Sequence, residues 1–177
     1  MKKKTLALVL ALTLLVAGIV GGTLAWLTDQ TAEVKNTFTV GDINIGLTET
    51  TTDYKMVPGN TIAKNPTVTV KADSEACWLF VKVTESTDLK NFITYAIAEG
   101  WTALPGVDGV YYREVPASAA DQTFSVLADD AVTVKSDVTR TMLETAKTDA
   151  PTLTFKAYAI QRDHFATADA AWAEVSK

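Results

Sequence analysis

The stretch "PTVTVKADSEACWLFVKVTE", residues 66–85, decides the fold. Strict alternation places Val68 and Val70 on one side of a first strand. After a turn at Asp73 and Ser74, Cys77, Leu79, Val81 and Val83 share one face of a second strand. Trp78 and Phe80 take its other face, so both faces need cover and the strand belongs at the centre of a sheet.

Working outward, the same period of two recurs. Towards the N-terminus, "NTFTV" puts Phe38 and Val40 together, Gly41 and Asp42 make a turn or bulge, and "INIGL" aligns Ile43, Ile45 and Leu47. "YKMVPGN" closes on a turn at Pro58 and Gly59. Towards the C-terminus, "FITYAIA" reads as a strand or a short helix, "VYYREV" as a strand after the "LPGVDG" loop, and "TFSVL" and "AVTVK" as two more. "DVTRTMLETAK" reads as a helix capped by Asp137 or as two strands. "TLTFKAYAIQ" is a long strand, and "FATADAAWAEV" a helix capped by Thr167 with Ala168, Trp172 and Val175 on one face. This pattern predicts a mainly β fold, a two-sheet sandwich of the jelly-roll kind with short peripheral helices.

The beginning of the chain has a different grammar. Lys2, Lys3 and Lys4 precede an apolar run from Leu6 to Val20, then Gly21, Gly22, Thr23, Leu24 and Ala25. A basic start, an apolar middle and small residues at Thr23 and Ala25 are the layout of a secretory signal, with cleavage expected between Ala25 and Trp26. The competing reading is a retained anchor, since no charge occurs between Lys4 and Asp29. Cleavage would leave residues 26–177 as a single domain, with membrane contact confined to the precursor. That domain carries 13 basic residues against 21 acidic ones, a formal charge of −8, which disfavours nucleic acid as a partner.

Candidate catalytic groups are few. His164 is the sole histidine, so neither a paired-histidine zinc helix nor a histidine-rich cluster can be assembled. Cys77 is the sole cysteine and lies in a strand pattern, where a thiol behaves as a small hydrophobe. Asp129 and Asp130 are adjacent, which suits a turn better than an acid/base pair. No glycine-rich phosphate cradle follows a strand. The tryptophans at 78 and 172 follow core-facing patterns rather than a carbohydrate platform. No catalytic residue, metal ligand or cofactor is expected, and an enzyme is disfavoured.

Three blocks carry a family resemblance: "GGTLAWLTDQTAEVKNTFTVGDINIGLTE", "MVPGNTIAKNPTVTVKADSEACWLFVKV" and "FKAYAIQRDHFATADAAWAEV". They resemble the TasA, CalY and camelysin family of Gram-positive secreted proteins. The resemblance implies removal of the signal by a SipW-type signal peptidase, a jelly-roll mature domain, and polymerisation into extracellular biofilm-matrix fibres. It also implies self-association as the main partnership, with a minor or anchoring fibre subunit as a further partner. Camelysin carries the label of a surface metallo-endopeptidase, and that activity is the alternative, beside a monomeric adhesin-like sandwich. A chain beginning at Trp26 has a β-compatible leading segment, residues 26–36, expected to act as a donor strand that completes a sheet of the next subunit. Its marked positions are Trp26, Leu27, Val34 and Asn36, with Leu27 or Val34 filling acceptor pockets.

Overall fold

The computed structural model describes residues 42–51 and 54–177. The signal residues Thr23 and Ala25, and the donor positions Trp26, Leu27, Val34 and Asn36, lie outside these residues. Among the described residues no helix is long and apolar enough to cross a membrane.

The mainly β expectation holds. The strands are β1 (Ile45–Thr48), β2 (Thr61–Ala63), β3 (Thr67–Val70), β4 (Cys77–Glu85), β5 (Ile93–Thr94), β6 (Thr102–Ala103), β7 (Val110–Val115), β8 (Gln122–Ser125), β9 (Ala131–Val134) and β10 (Leu153–Gln161). Among the described residues three short α-helices accompany them: α1 (Leu89–Phe92), α2 (Arg140–Ala146) and α3 (Ala168–Val175). Among the described residues all pairings are antiparallel, in the orders β1-β3-β8, β10-β4-β7-β6 and β2-β9-β5.

The expected pair of sheets is corrected to three, and the reason is local. The β2/β9 and β3/β8 ladders are two arms of the same chain pair, still joined by Lys64 N–H to Asp130 C=O (2.7 Å) and Val126 N–H to Pro66 C=O (2.9 Å). Between those bonds, residues 64–66 face the longer segment 126–130. Pro66 has no N–H to donate, and Asp129 and Asp130 turn left-handed at φ 56° and 49°. Extra residues on one side of a pair bend it, so the ladder breaks into two sheets at an angle.

The four-stranded sheet is the middle layer, as the central strand predicted. Cys77, Leu79, Val81 and Val83 pack with Val68, Val70, Val115 and Val126 in one core cluster. On the reverse face Trp78 and Phe80 pack with Val110, Leu104 and the helix residues Ala168 and Ala171. Trp172 lies 5.3 Å from Phe80 and 5.1 Å from Tyr158, ring centre to ring centre. Trp78 Nε1–H donates to the Phe165 carbonyl (3.0 Å), so the ring is buried without stranding its polar atom. A third cluster places Leu89, Phe92, Val132, Val134 and Val138 around the β2-β9-β5 sheet. Burial holds Cys77 fully inside and pushes its thiol up to about 11, which keeps it a protonated core residue at neutral pH.

Two local readings resolve. "FITYAIA" divides: Phe92 ends α1, Ile93–Thr94 forms β5, and Ile97 bridges Leu127. "DVTRTMLETAK" is the helix α2, but its cap is Thr139, whose hydroxyl accepts from Met142 N–H (3.3 Å), not Asp137. Thr139 is extended at φ −88°, ψ 162°, the geometry an N-cap needs, and Asp137 lies too far upstream to reach the first turn. Thr167 caps α3 as expected, accepting from Ala170 N–H (3.3 Å).

Candidate functional site

The two long sides of the layered core are treated differently. On one side the chain closes the gap itself. Ala98 N–H donates to Val126 C=O (3.0 Å), Ala128 N–H to Ala96 C=O (2.9 Å), and Trp101 Nε1–H to Ser125 C=O (2.9 Å). Arg113 reinforces that closure. Its guanidinium lies 3.9 Å from the Phe124 ring centre and 5.3 Å from that of Trp101, and desolvation there lowers its pKa.

The other side is bounded by β1 and β10, which lie against each other. Among the described residues, each is the edge of its sheet. Register fixes which backbone groups the β10 edge presents. Ser86 N–H donates to Thr152 C=O (2.9 Å) and Arg162 N–H to Ala76 C=O (2.9 Å), so the even-numbered residues of β10 bond to β4. In an antiparallel ladder the alternate residues face away. Leu153, Phe155, Ala157, Ala159 and Gln161 therefore point their N–H and C=O groups outward, along nine residues of strand. The same reasoning from Lys71 N–H to Asn44 C=O (2.8 Å) turns the backbone groups of Ile45 and Leu47 outward from β1.

Among the described residues the core beside this edge is incompletely covered. One cleft of about 380 Å³ is lined by Leu47, Pro66, Leu153 and Phe155, with Lys64 and Glu49 on its wall. It shares Lys64, Leu153 and Thr154 with a second, of about 410 Å³, that continues past Met56 and Ile62 to Leu89 and Ile93. Leu47, on the expected apolar face of its strand, remains 37% exposed. Apolar side chains and open backbone groups along one groove are what a further strand would cover.

A polar cluster sits in the wall. Lys64 is buried, its ammonium 2.7 Å from Glu49 Oε1, 4.8 Å from the Tyr54 ring centre and 5.4 Å from that of Phe155. Tyr54 O–H donates to the same carboxylate oxygen (2.8 Å) and contacts the Thr51 carbonyl. Burial first, then the hydrogen bond and charge of Glu49, push the Tyr54 phenol up to about 12. In the sequence Lys64 was notable only as part of a family block, and Glu49 and Tyr54 were not singled out. An isolated Lys just before a Pro-initiated strand is the one signal pointing to the cluster.

Other flagged residues do not converge. His164 is exposed in a single 3-10 turn following β10, beside Arg162, which pairs with Glu114 (3.2 Å). Among the described residues no three His, Cys, Asp or Glu side chains are grouped to hold a metal ion. Asp129 and Asp130 serve the bend, as their left-handed backbone requires.

The sequence profile of a family described as camelysin metallo-endopeptidase matches residues 1–83. No curated protein and no solved structure matches the chain. The matched region supplies β1, β2, β3 and most of β4, hence one wall of the open groove and the middle of the core. The match covers residues 1–83, a little under half of the chain, and over that region the chain is similar to the camelysin family.

Proposed function

We propose that this chain is an extracellular structural protein that polymerises by strand addition after residues 1–25 have been removed by a SipW-type signal peptidase. The observation that carries the reading is the β10 edge, with outward backbone groups from Leu153 to Gln161 above an apolar groove. A strand laid there gains ladder hydrogen bonds and covers Leu47, Leu153 and Phe155 in one step. The strand comes from residues 26–36 of the next copy, a head-to-tail contact that repeats into a filament rather than closing on itself. Signal removal is then the assembly switch, because an uncleaved signal would tether the donor.

The metallo-endopeptidase described for the family is the competing reading. The residues here do not fit a catalytic zinc of the usual kind, which takes two or three imidazoles or a thiolate set. The single imidazole is His164, exposed in a 3-10 turn, the single thiol is buried in the core, and among the described residues no three His, Cys, Asp or Glu side chains are grouped. No step is assigned to a metal.

Electron microscopy of the secreted form beginning at Trp26 tests the reading. Fibres are expected from it, and only soluble, folded monomer from a chain beginning at Asn36. Equal polymerisation of the two would overturn donor-strand assembly. Ala25→Phe should leave precursor at the membrane, since a bulky side chain blocks the signal peptidase. Chelator-sensitive casein cleavage that disappears with His164→Ala would favour the peptidase.

A further inference from the structure

The middle sheet has a second opening, where β4 outruns β7. Strand β4 continues to Glu85, whereas β7 begins at Val110, opposite Lys82. Beyond that pair, Val83 N–H still reaches Gly109 C=O (2.7 Å). The even-numbered residues of β4 bond to β10, so its odd-numbered residues turn their backbone groups towards β7, and the N–H and C=O of Glu85 point past the end of that strand. Two clefts, of about 390 and 350 Å³, open there and share Glu85, Tyr95 and Tyr111. The first continues to Lys82, Asp108 and Gly109. The second runs over Leu89, Ile93 and Ile97 to Lys90 and Thr94.

The lining combines fixed rings with open polar groups. Tyr95 and Tyr111 are half-buried against the core, and Tyr95 O–H donates to Glu85 Oε1, so both side chains are ordered before anything binds. Glu85 and Asp108 face Lys82 and Lys90 in number, all four are exposed, and among the described residues none of them is in an ion pair. Acceptors and donors are therefore both available in a lining without net charge, although the chain as a whole is acidic. A neutral sugar ring matches this mixture: its C–H faces lie on aromatic and aliphatic surface, while each hydroxyl both donates and accepts. A peptide strand matches it less well, because β4 offers only Glu85 beyond Val83 and a ladder cannot propagate from one residue. A polyanion would meet the Glu85 and Asp108 carboxylates.

We propose that the opening around Glu85, Tyr95 and Tyr111 is a carbohydrate site for neutral hexose units of a polysaccharide, one ring in each cleft with the linkage over the Tyr95–Glu85 pair. Tyr111, which lines both clefts, supplies the stacking surface. Glu85 and Asp108 accept hydroxyl hydrogens, and the outward N–H of Glu85 donates to a hydroxyl oxygen. The site does not depend on strand addition, since its rings and polar groups are not those of the β1/β10 groove.

Saturation-transfer NMR on the chain beginning at Trp26 tests the site, because it reads sugar binding by monomer and polymer alike. The probes are cellotetraose and maltotetraose, with tetragalacturonate as the acidic counterpart, and circular dichroism verifies that each variant is folded. Transfer to the ring C–H protons of a neutral oligomer is expected, falling about fivefold or more in Tyr111→Leu and in Asp108→Asn, whose side chain is exposed and whose replacement leaves the core untouched. Leu47→Lys, in the β1/β10 groove, should leave the transfer unchanged. No transfer to either neutral oligomer overturns the proposal. Equal transfer to tetragalacturonate overturns the neutral class of ligand. Transfer that survives both Tyr111→Leu and Asp108→Asn, or that is lost only with Leu47→Lys, overturns the placement of the site, and none of these outcomes bears on whether the chain forms fibres.

Discussion

Replacing Glu49 with Gln probes the wall of the groove most directly. The Lys64 and Glu49 side chains are 9% and 16% exposed and 2.7 Å apart, so both charges are largely removed from water. Removing one partner of such a pair typically costs about 3–5 kcal/mol, because the other charge is left uncompensated. The rings of Tyr54 and Phe155, 4.8 and 5.4 Å from the ammonium, retain part of its stabilisation at about 1 kcal/mol each or less. The amide can still accept from Tyr54. A loss of about 2–3 kcal/mol is therefore expected, and with a urea slope of about 2 kcal/mol per M the midpoint should fall by about 1–1.5 M. The paired change Glu49→Leu with Lys64→Met should cost less than either single change, since apolar residues of similar size replace both charges. Urea unfolding followed by tryptophan fluorescence measures all three. A loss below about 0.5 kcal/mol for Glu49→Gln, the worth of an exposed pair, would refute the claim that this pair is buried and coupled.

Three further outcomes follow from the core. Gly109 adopts φ +70° and an added Cβ would stand 2.4 Å from the Val83 carbonyl oxygen, so Gly109→Ala should destabilise by about 2–4 kcal/mol in chemical denaturation. Phe80 is fully buried between the middle sheet and α3, so Phe80→Ala should cost about 3–5 kcal/mol, lower the melting temperature by about 10 °C and alter the near-ultraviolet signal of Trp172. Stability should also fall at alkaline pH. The Cys77 thiol and Tyr54 phenol are raised to about 11 and about 12 from ordinary values of 9.0 and 10.0, so above those ordinary values the unfolded chain releases protons that the folded chain retains. Their contribution is complete below about pH 9 and is lost as pH rises through the folded values; Cys77→Ala should remove the earlier part of that decline in a pH series of urea midpoints.

Alternation determined much of this protein without any coordinates. The period of two in residues 66–85 assigned Val68 and Val70 to one core and split β4 into an inner face of Cys77, Leu79, Val81 and Val83 and an outer face of Trp78 and Phe80. It also marked β10 and the helix that carries Trp172, because binary patterns are local and survive whichever partner covers them. The break of one layer into two sheets was not legible. It depends on a mismatch between residues 64–66 and 126–130, which are distant in sequence and meet only when the ladders on either side are already paired. The cap of α2 turned on a shift of two residues that propensity does not resolve, since Asp and Thr both suit an N-cap. The open edge was the least accessible feature. A strand's sequence records which faces it buries, whereas the outward direction of the N–H and C=O groups of Leu153, Phe155, Ala157, Ala159 and Gln161 depends on register with β4. The meeting of Lys64, Glu49 and Tyr54 at that edge likewise required the chain to fold back on itself, because charge attraction acts through space and leaves no period in the sequence.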